Sequence, residues 1–213
     1  MKSIPKSGHY IANKLGYVTL LSLVDVMGKN GVNALLNLAN LRSWTNSYPS
    51  DTLEKHVDFA DYSAINGALD DMYGPRGARG LALRSGRATF EIVLKGMGVF
   101  HSVGDFAFKI LPAQAKLKIG LGMVARFLSQ ISDQKITIVE KPDHFIYTIE
   151  KCSVCWGRHT EGPTCNIAVG MLQASLKWIS GGSEFNVVET ECVAVGDKVC
   201  AFTIDKNPLE PKP

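Results

Sequence analysis

The chain lacks long apolar runs and any concentration of charge. No stretch approaches the ~18 consecutive apolar residues that a membrane-crossing helix needs, although 46% of the 213 residues are hydrophobic. The formal net charge is +3 and the basic residues are dispersed, so no nucleic-acid-binding surface is predicted. Five cysteines, an odd number, are typical of free thiols in a reducing compartment. We therefore expect a folded cytoplasmic protein with no transmembrane segment and no nucleic-acid partner.

The N-terminal segment has the charge of a secretory signal peptide without its cleavage pattern. Lys2, Lys6 and Lys14 precede an apolar stretch over residues 17–24. Asp25 ends that stretch, and no small-residue cleavage site follows it. We therefore interpret the segment as part of the fold.

Helical spacing of apolar residues dominates the first part of the chain. It extends over residues 11–38, with a break at residues 28–31, and returns over residues 59–72. Pro75 suits the first position of a further helix. Another amphipathic stripe covers residues 117–131. The sequence therefore predicts a largely helical N-terminal part.

Strand patterns replace the helical spacing in the last third of the chain. Two strands are predicted over residues 135–139 and 144–150, and two more over residues 184–192 and 199–204. A helix over residues 163–178 separates the two pairs. Helices followed by strand pairs predict an α+β fold, with N-terminal helices packed on a small antiparallel sheet.

Three thiols and two carboxylates lie close together in the C-terminal pattern. Cys165 falls in the first turn of its predicted helix, where free N–H groups and the helix dipole favour a thiolate. Cys192 ends one strand and Cys200 begins the next, while Glu189 or Glu191 adds an oxygen. Such sulfur and oxygen donors match a tetrahedral site for a dication such as zinc. The alternative is that the cysteines are simply buried in the core.

Cys152 and Cys155 form one CxxC pair in the loop before that helix. The pair could compete for the metal or act as a redox couple. Without a second CxxC it does not make a zinc ribbon, and a loop pair with no further role is the other interpretation.

The C-terminal part of the chain resembles the 4-vinyl reductase-like domain family, also called hydrocarbon-binding domains. The residues that carry the resemblance are Cys165, Gly170, Trp178, Gly182, Glu189, Cys192, Gly196, Cys200 and Phe202. Members are related to the fold of TRAPP transport-particle subunits and of the phenol-sensing domains of bacterial transcription activators. The resemblance implies this ligand-binding fold, with a pocket for a small apolar molecule.

A metal site is also implied by the resemblance. The phenol sensors hold a zinc ion with three cysteines and one glutamate, and the matching positions are Cys165, Glu189, Cys192 and Cys200. The resemblance therefore implies structural zinc at these four residues.

The ligand contacts do not follow from the resemblance, and we take Arg87, Phe127 and Trp178 as candidates. The relatives imply a homodimer. The predicted organisation is a helical segment 1–58, a vinyl-reductase-like ligand-binding domain 59–206 that forms one compact unit with it, and a tail 207–213.

A glycine motif in the helical part imitates a dinucleotide-binding fingerprint. Residues 120–125 read GxGxxA, and Glu140 lies 140 minus 120, or 20, residues further on. A dinucleotide site requires a buried strand before the first glycine, yet Lys116 and Lys118 occupy that place and the apolar spacing stays helical. We interpret the glycines as a close-packing helix face and do not expect a nicotinamide dinucleotide.

Four arginines share one face of the helix that Pro75 begins. They are Arg76, Arg79, Arg84 and Arg87. Such a face could hold a carboxylate or phosphate of a ligand. The alternative is a solvated surface.

Binding or sensing of a small hydrophobic molecule is the function that the sequence favours. One alternative is an enzyme or accessory protein in the reduction of a tetrapyrrole vinyl group, of the bacteriochlorophyll type. Another is a dimeric interaction scaffold like the transport-particle subunits. No acid–base or nucleophile pattern stands out, which favours a binding protein over an enzyme.

Overall fold

A computed structural model describes residues 4–97 and 111–209. Its helices are α1 (Asn13–Leu38), α2 (Phe59–Met97), α3 (Ala113–Gln130) and α4 (Asn166–Ser180). Its strands are β1 (Tyr10–Ala12), β2 (Lys55–Asp58), β3 (Lys135–Glu140), β4 (His144–Glu150), β5 (Phe185–Glu191) and β6 (Cys200–Pro208). The predicted α+β fold class is confirmed.

Both long N-terminal helices are kinked at a glycine. Gly28 in α1 has φ 76° and Gly74 in α2 has φ 67°, a left-handed conformation that glycine adopts without strain. Pro75 then starts the second arm of α2, where its missing N–H is tolerated. The two predicted helix breaks are therefore confirmed. Buried side chains of both helices, among them Leu23 and Ile65, pack in one hydrophobic cluster.

The main sheet is antiparallel, with strand order β3-β4-β6-β5. Alternate residues of β4 are buried, which places Tyr147 on the inner face. Alternation in β5 likewise buries Phe185, Val187 and Glu189, but it ends there, and Glu191 is exposed. A period of two would place both glutamates on one face, so the register shift between them, and not the alternation, separates the buried Glu189 from the exposed Glu191.

A second, two-stranded sheet was not predicted. The short strands β1 and β2 pair antiparallel near the N-terminus, and Ile11 bridges to Ser132 after α3. Strands of three and four residues are too short to show an alternating pattern of apolar and polar residues, so the sequence did not reveal them.

Among the element boundaries that differ from their predictions, two bear on the site and on the tail. Helix α4 begins at Asn166, so Cys165 is its N-cap and does not lie in the first turn. Strand β6 continues to Pro208, past the predicted end at residue 204 and into the predicted tail 207–213. Residues 210–213 of that tail, like Lys2, lie outside the described residues. The domain boundary after residue 58 stays a prediction.

Helices α2 and α4 cross where each has a glycine. A Cβ atom on Gly86 would overlap the carbonyl oxygen of Ile167, and one on Gly170 would overlap that of Leu83. The close approach holds the N-terminal end of α4 in place.

The GxGxxA segment lies inside α3, as the helical interpretation predicted. A Cβ on Gly120 would lie 2.6 Å from Ile179, so this glycine serves close packing on α4. Gly122 faces open space. The four arginines of the predicted face are all exposed. Among the residues described, no helix is long and apolar enough to cross a membrane.

Candidate cysteine cluster and apolar cavity

All five cysteines meet in one buried cluster. Cys165 precedes α4, Cys192 follows β5 and Cys200 begins β6, while Cys152 and Cys155 lie in the loop between β4 and α4. Each is buried and carries a free thiol. The crossing of α2 and α4 and the pairing of β5 with β6 bring these distant segments together.

The sulfur atoms lie within metal-binding range of one another. Cys165 Sγ is 3.9 Å from Cys192 Sγ and 3.8 Å from Cys200 Sγ. Cys152 Sγ is 3.7 Å from Cys165 Sγ, and Cys155 Sγ is 3.4 Å from Cys200 Sγ. Separations near 3.7 Å are those of thiolates about 2.3 Å from a shared central ion.

Two sets of four donors can be drawn from this cluster, each with its ligand atoms within 4.8 Å of one another. One is the predicted set of Cys165, Glu189, Cys192 and Cys200. The other set replaces Glu189 and Cys192 by Cys152 and Cys155. Cys165 and Cys200 belong to both sets, so the CxxC pair is part of the cluster and not a separate loop feature.

One carboxylate oxygen of Glu189 is hydrogen-bonded, and the other has no hydrogen-bond partner among the described residues. Its Oε2 accepts a 2.7 Å hydrogen bond from the backbone N–H of Cys165. Its Oε1 is buried with no hydrogen-bond partner among the described residues. Burial raises the pKa of Glu189 above its ordinary value. A buried carboxylate oxygen without a partner is costly, and a cation beside it would remove that cost.

Burial also changes the chemistry expected of the thiols. It raises the pKa of Cys165 well above the ordinary thiol value, so the predicted thiolate preference at this helix end is wrong for the protein on its own. Hydrogen bonding from neighbouring thiols, first of all Cys152, lowers the pKa of Cys155. Burial therefore opposes a thiolate at Cys165, and a cation beside the sulfur would favour one.

An internal cavity of about 50 Å³ lies beside the cluster. It is bounded by α1, α2, α3, α4, the inner face of β4 and the loop that follows β4. Its apolar lining consists of Leu15, Phe90, Val93, Val124, Phe127, Leu128, Ile131, Ile149, Val154, Ala168, Met171 and Leu172. The remaining described lining residues are Tyr62, Gln134, Tyr147 and Ser153.

The ligand-contact candidates separate into one inside and two outside this cavity. Phe127 lines it. Arg87 is exposed and donates to Gln173 Oε1 at distances of 3.1 and 2.8 Å. Trp178 lies outside the lining and packs on Phe90, with ring centroids 6.4 Å apart.

Two of the polar lining groups are paired within the protein. The Tyr62 hydroxyl lies 3.0 Å from Thr19 Oγ1, and Gln134 Oε1 accepts a 2.8 Å bond from the Ser153 backbone N–H. The Tyr147 hydroxyl is buried and has no partner among the described residues. Sequence reasoning missed these side chains. The alternation of β4 placed Tyr147 on the inner face, which was the one available signal.

Cavity and cluster share a wall. Ser153 and Val154 line the cavity and stand between Cys152 and Cys155 in the chain. Ala168, in the first turn of α4 after Cys165, lines it as well.

The chain matches no family model and no curated protein. Among solved structures it is similar to an Fe(II) unliganded H-NOX protein from K. algicida, with 11% identity, a TM-score of 0.60, and coverage of 95% of this chain and 100% of that one. An oxygen-binding H-NOX domain related to soluble guanylate cyclases gives 14% identity, a TM-score of 0.55, and coverage of 95% and 100%. A structure from work on heme distortion in the H-NOX family gives 13% identity, a TM-score of 0.57, and coverage of 95% and 98%.

Identities this low show a shared fold and nothing finer. The chain has the α+β fold of H-NOX domains over nearly its whole length. The finer resemblance to the vinyl-reductase-like family finds no support in these comparisons. The prediction of zinc as the cofactor needs correction, because the descriptions of the solved structures with this fold name heme and Fe(II). Zinc as the cofactor of this fold was therefore a wrong prediction.

Proposed function

We propose that the protein binds a small apolar molecule in its internal cavity and communicates its presence to the cysteine cluster. The observation that carries the proposal is the shared wall, in which Ser153 and Val154 line the cavity between two cluster cysteines. An apolar enclosure with few polar groups is the usual form of a small-molecule site.

The size of the cavity limits its occupant. Its volume of about 50 Å³ is a fraction of the ~150 Å³ apolar cavity that takes up benzene or xenon. A molecule of a few heavy atoms therefore fits without rearrangement. A larger one requires movement of flexible lining residues such as Met171.

Heme does not fit the described residues. Drug-sized ligands occupy about 300–1,000 Å³, and a porphyrin is at least as large, whereas this cavity has about 50 Å³. The described lining has no histidine or cysteine, so Met171, Tyr62 and Tyr147 are its only side chains of a type that binds heme iron, and it has no arginine or lysine to pair with propionates. The comparison with H-NOX domains supports enclosure of a small ligand, and the mode of binding proposed here is apolar contact.

The cysteine cluster is proposed to bind a thiophilic metal ion at Cys165, Glu189, Cys192 and Cys200. Support comes from the four ligand atoms, which lie within 4.8 Å of one another, and from Glu189 Oε1, which is buried without a hydrogen-bond partner among the described residues. Thiolate donors select soft metal ions. Such an ion would join β5, β6 and the start of α4, and so would fix the wall that the cluster shares with the cavity.

The resemblance to hydrocarbon-binding domains supports the same proposal and adds the expectation of a homodimer, which stays a prediction. Sedimentation of the full chain would test it.

Xenon uptake followed by ¹²⁹Xe NMR tests the binding proposal. Ala168→Leu places three more carbon atoms in the cavity and is expected to weaken uptake at least ~10-fold, because the free volume is lost. Ala113→Leu makes the same change at an exposed position of α3 and should leave uptake unchanged. Equal uptake by both variants, or no saturable uptake by the wild type, would contradict the proposal.

A further inference from the structure

We infer that Tyr147 is the hydrogen-bond anchor of the cavity, and that the molecule bound there is neutral and carries a hydrogen-bond acceptor such as a carbonyl oxygen. The inference rests on the proposed function and names the chemical class of its ligand.

Tyr147 combines three properties that are seldom found together. It is 1% exposed, it lines the cavity, and its hydroxyl has no partner among the described residues. Its ring lies against Phe202, with centroids 6.4 Å apart, and the register of β4 with β6 holds both residues on the inner face. A buried hydroxyl without a partner is unfavourable, so a folded protein retains one chiefly where a partner arrives from elsewhere.

No other polar side chain of the lining is a hydrogen-bond partner of the Tyr147 hydroxyl. Tyr62 is paired with Thr19, and the carbonyl oxygen of Gln134 is paired with the backbone of Ser153. A trapped water would need two to four polar partners, and two of the other polar lining groups, the Tyr62 hydroxyl and Gln134 Oε1, are already paired. A ligand oxygen needs only the Tyr147 hydroxyl.

The chemistry of the wall selects a neutral acceptor. Burial raises the pKa of Tyr147, so the phenol stays protonated and donates its proton to the ligand. The described lining carries neither a carboxylate nor a cationic side chain, so a charged ligand would enter without a counter-charge. A small ketone or aldehyde satisfies both conditions.

Two probes of nearly equal shape separate hydrogen bonding from apolar contact. Butanone and 2-methyl-1-butene differ by a carbonyl oxygen in place of a methylene group. We expect Tyr147→Phe to weaken butanone binding about 10-fold and to leave 2-methyl-1-butene binding within about twofold, because only the ketone loses a partner. Dissociation constants would come from titrations that monitor the methyl NMR signals of Leu172 and Met171.

Tyr62→Phe is the matched control. It removes a hydroxyl that the protein itself uses, so it should lower the thermal midpoint and leave the ratio of the two dissociation constants unchanged. Tyr147→Phe, which removes an unpaired hydroxyl, should leave the midpoint equal to or above that of the wild type.

The possible results have distinct meanings. If Tyr147→Phe leaves the ratio of the two dissociation constants unchanged, Tyr147 is not the hydrogen-bond anchor, while the proposed binding of a small apolar molecule stands. A clear fall in the midpoint of Tyr147→Phe also overturns it, because the hydroxyl then has a structural partner. Failure of the wild type to bind either probe overturns the proposed function together with the inference.

Discussion

The backbone N–H of Cys165 donates a 2.7 Å hydrogen bond to Glu189 Oε2, although 24 residues separate the two in the chain. The bond joins the N-cap of α4 to the inner face of β5, while Glu189 Oε1 is buried with no hydrogen-bond partner among the described residues. The proposed metal site would therefore use the same carboxylate that binds the backbone at the start of α4.

Glu189→Gln is expected to weaken metal binding by more than ~10-fold, since changes outside the ligand shell already cost about 10- to 100-fold. The amide oxygen can still accept the Cys165 N–H bond, so the fold should persist. Glu191→Gln makes the same change at the exposed neighbour and should bind metal as the wild type does. Elemental analysis after dialysis against graded chelator gives the comparison. If both variants retain equal amounts of metal at every chelator concentration, Glu189 is not a metal ligand.

Single serine variants distinguish the two possible donor sets. Cys192 belongs only to the set with Glu189, and Cys152 belongs only to the set with Cys155. We expect Cys192→Ser to release the metal and Cys152→Ser to retain it, as measured by metal content and by titration of free thiols. The reverse pattern would assign the ion to the CxxC set instead.

Gly86→Ala is expected to destabilise the protein by roughly 1–3 kcal/mol, because the new methyl group overlaps the backbone of α4 and neither helix can yield locally. Gly80→Ala, in the same helix with open space around it, should stabilise by about 0.5–1 kcal/mol. Urea unfolding of both variants measures the difference. Matching stability changes would refute a tight crossing of α2 and α4.

Acid should destabilise the sheet edge through Glu140. Hydrogen bonds from Lys118 and Lys206 lower the pKa of Glu140 from 4.5 to about 2. Because the folded-state pKa is the lower one, this contribution to stability is present above pH 4.5 and is lost as the pH falls towards 2.

Glu140→Gln should therefore flatten the dependence of unfolding free energy on pH within that window. Glu150→Gln, which removes an exposed partner of Lys135, should leave the slope close to that of the wild type. Chemical denaturation at several acidic pH values would measure how the unfolding free energy depends on pH. If that dependence is as steep in Glu140→Gln as in the wild type, Glu140 is not the group responsible.

Local patterns in the chain were sufficient for most of the architecture. Helical spacing with the breaks at Gly28 and Gly74, and the alternation in β4 and β5, follow from backbone geometry that acts over a few residues. Alternation does not separate Glu189 from Glu191, which lie two residues apart; the register shift between them in β5 does. Sheet β1-β2 escaped prediction because strands so short carry no measurable period.

Residue types and their order were enough to predict the α+β class and to mark Cys165, Cys192 and Cys200 as possible neighbours, while the choice of Glu189 over Glu191 came from the family resemblance. Only the tertiary structure decided that Cys152 and Cys155 join the cluster and that burial opposes the thiolate at Cys165. Only the tertiary structure, likewise, placed Tyr147 at a cavity, with a hydroxyl that has no partner among the described residues. The reason is physical. Desolvation, close helix crossings and cavity shape depend on contacts between segments far apart in the chain, which no local spacing encodes.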